Sequence, residues 1–125
     1  GGAGILGSQT TAALADHGAV VAVVDIDEAS AVAHASRLEA EYGTRALGVA
    51  CDITDPASVA AMTEQVESEL GPIDILHNNA ATKGRDMEKL FASVEDYELD
   101  TWREIMAVNL DGMVLVSQAI GSHHR

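Results

Sequence analysis

The chain has 125 residues, room for one modest domain, and is 47% hydrophobic but only 3% aromatic. Its core must therefore be built from Ala, Val, Ile, Leu and Met, the usual filling of a parallel sheet covered by helices. A formal net charge of -13 repels polyanions, which excludes nucleic acid and anionic membrane as expected partners. The longest unbroken apolar run, Ala19 to Val24, is far short of the roughly 20 residues of a spanning helix. Cys51 is the single cysteine, so no internal disulfide framework exists, and a buried, inert thiol in a reducing compartment is expected. With no visible secretory or transit segment, the expectation is a soluble, cytoplasmic protein.

The chain opens on Gly1-Gly2-Ala3-Gly4-Ile5-Leu6-Gly7-Ser8, with Gly1, Gly4 and Gly7 spaced three apart. A glycine turn running into a helix brings backbone close to a ligand and aims unpaired N–H groups and the positive helix end at an anion. Leu6, Ala13 and Leu14 mark the helix from Leu6 to His17, and Gly18 is placed to end it. Ala19 to Val24 reads as a strand buried on both faces, ending at Asp25. Asp27 is the expected N-cap of a second helix reaching Tyr42, with Gly43 as its terminator. Its acidic side, like that of Glu64, Glu67 and Glu69, is expected to be solvated.

Arg45 to Ala50 is a second strand. Asp52-Ile53-Thr54-Asp55-Pro56 then hands over to a third helix, capped by Thr54 or Asp55, with the stripe Val59, Met62, Thr63, Val66 and Leu70 facing inward. Gly71-Pro72 stops it, and Ile73 to Asn78 reads as a third strand. From Asn79 to about Leu99 only a helical turn near Leu90 is expected. A long helix to the end follows, starting at Asp100 or at Thr101 in a capping box with Glu104, its inward stripe being Trp102, Ile105, Met106, Asn109, Met113, Val116 and Ile120. The alternation implies an α/β fold, a doubly wound parallel sheet with helices on both faces. A glycine turn of this kind joins a strand to a helix, and no residue precedes Gly1. The first strand is therefore expected to be missing, which would leave unpaired backbone on either side of its slot, marginal stability or self-association.

Four segments together resemble the short-chain dehydrogenase/reductase family: Gly1 to Gly7, Cys51 to Asp55, Gly71-Pro72-Ile73-Asp74-Ile75-Leu76-His77-Asn78-Asn79-Ala80, and Trp102 through Val108-Asn109-Leu110-Asp111-Gly112. The resemblance spans nearly the whole sequence, in the family's order. It implies a Rossmann-type fold, with residues 1–125 as a partial NAD(P)-binding domain forming roughly the N-terminal half. The intact enzyme would pass a hydride between a nicotinamide and a carbonyl or secondary alcohol. Gly1, Gly4, Ile5, Leu6 and Gly7 would hold the pyrophosphate.

Asp25, 24 residues past Gly1 and followed by Ile26, is placed like the acid that hydrogen-bonds the adenosine ribose. A carboxylate there repels a 2′-phosphate, and the first basic residue in the chain is Arg37, so NAD is favoured over NADP. Asp52 and Ile53 resemble the adenine contacts, the alternative being an Asx turn before a helix. Asn79 and Ala80 resemble the family's Asn-Ala-Gly turn beside the cofactor, with Ala81 standing where Gly is usual. Asn109 resembles the helix asparagine of the catalytic tetrad, which holds a water of the proton relay and helps position a lysine.

The Tyr-x-x-x-Lys pair is not found: Ala46 follows Tyr42 by four and Thr101 follows Tyr97 by four. The sequence as given thus carries no catalytic acid and is expected to be inactive alone. A non-catalytic dinucleotide-binding module is the alternative. Gly-x-x-Gly-x-x-Gly and His77 before Ala80-Ala81 lean towards the family's extended, nucleotide-sugar branch, but the remaining motifs lean towards the compact one. His17, His34, His77, His123 and His124 show no metal-ligand spacing, so no metal is expected. A homodimer or homotetramer through the long helix is what the family implies for the intact protein.

Overall fold

A computed structural model describes residues 1–122; the His123-His124 pair and the last residue of the expected long helix lie outside the described residues. The order is α1 (Ile5–Asp16), β1 (Val21–Asp25), α2 (Glu28–Tyr42), β2 (Ala46–Ala50), α3 (Pro56–Leu70), α4 (Met87–Leu90), α5 (Leu99–Met106), a π-helical turn (Ala107–Gly112) and α6 (Met113–Ser122). β1 and β2 run parallel, Val21 opposite Ala46 through to Asp25 opposite Ala50.

Both faces of this pair are covered, which is why β1 reads as an unbroken apolar run. Val21 and Val23 pack with Ala15, Ala31, Ala35 and Leu38 under α1 and α2. Val49 and Cys51 pack with Val59, Met62, Val66, Val116 and Ile120 of α3 and α6, and Ala22, Val24 and Leu47 lean the same way. The period-2 alternation of each strand divides its side chains between the two layers. α2 comes closest: a Cβ on Gly48 would run into the backbone of Ala31 and Val32, so only glycine lets the helix lie on the strand.

Local signals fix the helix ends. Asp27 accepts from the Ser30 N–H at 3.1 Å, and Gly43 closes α2 at φ 68°. Asp55 accepts from the Ala57 N–H at 3.0 Å, with Pro56 in the first turn. The turn near Leu90 is α4, capped by Asp86.

Four expectations are corrected. Ile73 to Asn78 forms no strand: its backbone makes no ladder bond among the described residues, and Ile75 is 68% exposed. A strand exists only against a neighbour about 4.8 Å away, and at this level only Gly1 and Gly2 stand between β1 and Asn79. Gly2 donates to the Val24 carbonyl at 2.8 Å, and the Asn79 side chain donates to the Gly1 carbonyl at 3.0 Å. In α1, Leu6 and Ala13 face solvent and the buried line is Gly7, Thr11 and Ala15, because small side chains let α1 settle on β1 and α2.

The long helix begins at Leu99, with Thr101 already inside it and buried, so Thr101 and Glu104 form no capping box. Trp102 and Met113 are 53% and 39% exposed, whereas Gly112 is buried. The π turn inserts one residue between the two halves of the helix; Trp102 lies before it, and Val116 and Ile120 of the expected stripe are buried beyond it. Within the turn the buried position is Gly112 in place of Met113. Leu99–Ser122, with a mean hydropathy of 1.3, is long and apolar enough to cross a membrane by length and composition. Run length alone understated that apolarity, part of which serves the α3–α6 layer.

Candidate functional site

Four stretches meet at the carboxyl ends of β1 and β2, the end at which open α/β sheets hold ligands. The glycine turn lies against Val24, and Cys51 donates to the Asp25 carbonyl at 2.9 Å, which sets the Asp52 loop beside Asp25. Asn79 and Ala80 close the group from the other side. The backbone contact is tight enough that a Cβ on Gly1 would lie 3.0 Å from the Ala80 Cα.

The turn itself is built by close approach. A Cβ on Gly7 would strike the Gly1 carbonyl and sit 2.9 Å from the Gly2 Cα, and one on Gly2 would sit 2.9 Å from the Val24 oxygen. Gly4 is the N-cap and supplies no side-chain bond. Among the described residues the N–H groups of Ile5, Leu6 and Gly7 find no acceptor. The Ile5 and Leu6 side chains point to solvent, so these two residues enter the site through backbone alone. Three convergent bare N–H groups at the positive end of a 12-residue helix fit a pyrophosphate.

Asp25 is clamped. One carboxylate oxygen accepts from the Ala3 N–H at 3.1 Å and the other from the Asp27 N–H at 3.1 Å. Burial pushes its carboxyl up, but those N–H bonds and the positive Gly1 amino group outweigh burial and hold it below the ordinary carboxylate range. A carboxylate has about four lone-pair positions; with the Gly1 amino nitrogen also 3.2 Å from Oδ2, one remains for a hydroxyl donor. Ile26 projects from the rim beside it, exposed.

Asp52 forms the Asx turn that is one of its two readings in the sequence. Its Oδ1 accepts from the Thr54 N–H at 2.9 Å and hydroxyl at 2.7 Å, an Asx turn, and these bonds hold its carboxyl below the usual range. Its Oδ2 and the Ile53 N–H have no partner among the described residues, an acceptor beside a donor, matching an adenine edge. The Ile53 side chain is turned against Gly112, where a Cβ would be 2.6 Å from its Cδ1.

Asn109 lies in the π turn, a distortion found often at functional sites. Both ends of its amide engage one residue: Oδ1 accepts from the Thr82 N–H at 2.7 Å and Nδ2 donates to the Thr82 carbonyl at 3.0 Å, which leaves one N–H and one lone pair. It thus anchors the loop that carries Asn79, Ala80 and Ala81, with Ala81 exposed. Sequence reasoning missed Gly2, the Ala3 N–H, Thr82 and Gly112. A mid-helix glycine such as Gly112 was a usable signal, since it costs about 1 kcal/mol unless packing requires it. Thr82 left none.

The sequence profile of the enoyl-(acyl carrier protein) reductase family matches residues 2–125. The chain belongs to the short-chain dehydrogenase/reductase family. It is 37% identical over 121 residues to D-threitol dehydrogenase of Mycolicibacterium smegmatis, covering 97% of this chain and 44% of that protein. Among solved structures it is similar to an NAD+-bound xylitol dehydrogenase (TM-score 0.87, 28% identity, 97% of this chain and 44% of that one). It is likewise similar to a gluconate 5-dehydrogenase of Burkholderia cenocepacia in complex with NADP and tartrate (TM-score 0.85, 34% identity, 98% and 46%). The chain thus spans less than half the length of these relatives, and its fold is the corresponding part of a Rossmann-type short-chain dehydrogenase/reductase.

Proposed function

We propose that this chain is the cofactor-binding part of an NAD-dependent oxidoreductase acting on a small alcohol or carbonyl compound. One observation carries the reading: the three bare N–H groups of Ile5, Leu6 and Gly7, at a turn clasped to Asp25 through Ala3. A bound nicotinamide would supply the hydride chemistry. This chain's own residues bind and orient: the turn takes the pyrophosphate, Asp25 the adenosine ribose, and Asp52 with the Ile53 N–H the adenine edge. Asn79 and Ala80 bring backbone against the cofactor. Asn109 positions that loop and contributes to the family's proton relay.

NAD rather than NADP is favoured because a 2′-phosphate would face the Asp25 carboxylate, while Arg37, the first basic residue, spends a guanidinium N–H on His34 at 3.2 Å. The relatives named above include proteins bound to either cofactor, so the preference rests on Asp25. Exposed Trp102, Leu110, Met113 and Val114 support a homodimer or homotetramer through the Leu99–Ser122 segment. Single, buried Cys51, whose thiol burial pushes up, supports a reducing, cytoplasmic setting. Titrating the full-length protein with NADH and NADPH, followed by cofactor fluorescence, tests the reading. Tighter binding of NADH is expected, with the preference shrinking in Asp25→Ser; equal or tighter NADPH binding overturns the NAD assignment, and no binding of either overturns the whole.

A further inference from the structure

Behind the glycine turn, α1 and α2 cross at two buried polar side chains, Thr11 and His34, the latter only 5% exposed. Thr11 Oγ1 lies 2.7 Å from His34 Nε2, 2.9 Å from the Gly7 carbonyl and 3.1 Å from the Ser8 carbonyl. His34 Nδ1 lies 3.2 Å from an Arg37 guanidinium nitrogen. A guanidinium only donates, so Nδ1 must accept and the imidazole proton sits on Nε2. Nε2–H then donates to Thr11 Oγ1, and the hydroxyl proton is left for the Gly7 carbonyl. Arg37 thereby sets the direction of every bond in the series.

The clamps on the front of the turn, Ala3 to Asp25 and Asn79 to Gly1, stop at residue 3. Gly4 gives α1 no side-chain cap. Beyond the helix's own backbone bonds, the carbonyls of Ile5 and Leu6 receive the exposed local hydroxyls of Ser8 and Thr10. Among the described residues, the Thr11 hydroxyl is the one side-chain bond on Gly7 that is tied to another element. Resting on the dinucleotide reading above, we propose that His34 is a positioning residue for the anion-binding turn. Through Thr11 it holds the Gly7 carbonyl, and with it the first turn of α1, at the angle where the Ile5, Leu6 and Gly7 N–H groups converge on a pyrophosphate.

The Arg37 end of the link needs neutral histidine, because a second proton on Nδ1 would set donor against donor and cation against cation and push the ring off its place, although Nε2–H itself is kept. Burial, then the Arg37 charge, push the imidazole below its ordinary titration range, against a smaller opposing pull from the Ser8 carbonyl. Among the described residues, Arg37 is the charge that acts on it. Asp16, the only titratable side chain of α1, lies five residues beyond Thr11; Asp25 of β1 is turned to Ala3 and Asp27; β2 has none.

The test uses the full-length protein, NADH affinity and two matched pairs. Thr11→Val and His34→Leu delete the link and are expected to weaken NADH about tenfold, one hydrogen bond's worth of positioning. Thr11→Ser and His34→Gln, which keep a hydroxyl and an N–H donor, are expected to stay within about twofold. Wild-type affinity should hold through the ordinary histidine range and fall only below it, where the depressed imidazole takes up its proton beside Arg37, while that of His34→Gln stays level. Nitrogen-15 spectra of His34 should report the Nε2–H form. Wild-type affinity in the deleting variants, equal loss in both members of a pair, or an Nδ1–H histidine would each overturn the positioning role while leaving the cofactor reading intact. A wild-type protein that binds no NADH removes both.

Discussion

Residues 19–70 and residues 73–98 are of one chain, yet they are held in different ways. In the first, two strands are laddered, both faces are packed and each helix begins on its own aspartate. In the second, Ile73 to Asn78 has no ladder, Ile75, Phe91 and Val94 are exposed, and order comes from short side-chain bonds such as Lys89 to Glu98 at 2.7 Å. A helix closes its hydrogen bonds within itself and can be specified by a cap and a stripe. A strand borrows half its bonds from a neighbour, so the same apolar sequence is a strand in one place and an unpaired segment in the other.

Substitutions test that contrast, read as urea midpoints of the full-length protein unless stated. Leu38→Ala, in the packed region, is expected to cost about 2–5 kcal/mol through the cavity it leaves. Gly48→Ala should cost about 1–3 kcal/mol, because its methyl has only helix backbone to displace. Asn109→Ala strips both partners from Thr82 and is expected to cost about 1–3 kcal/mol, with faster amide exchange confined to residues 79–84; unchanged exchange there would remove its anchoring role.

The acid limb is a smaller effect. Asp25 titrates below its ordinary value of 3.8 when folded, so its stabilisation is present above that pH and disappears as pH falls through the folded value. Asp25→Asn should flatten stability against pH in that window only. Smallest is Ile75→Ser, expected to change stability by less than about 0.5 kcal/mol, as for surface sites. A cost above about 1 kcal/mol would mean that 73–78 is held as firmly as β1.

What was readable in the sequence follows the same division. Asp27, Gly43, Asp55 and Pro56 act within three or four residues, so their effect is written beside them. β1 and β2 were readable because burial on both faces leaves no polar alternation. Asp25 announced itself by ending such a run. The π turn was not readable, since its extra residue carries no compositional mark, and it moved the buried position from Met113 to Gly112. Nor was the Thr11–His34 contact, which joins residues 23 apart through a histidine that in sequence looked like a surface residue of an acidic helix.

The widened turn at Ala107–Gly112 also constrains anyone who would redesign this scaffold. It lets one rung of a helix meet two clients at once, Asn109 gripping Thr82 and Gly112 yielding space to Ile53. Deleting one residue to restore a regular spiral would swing these two contacts apart by about 100°, so a straightened helix could serve either Thr82 or Ile53, but not both.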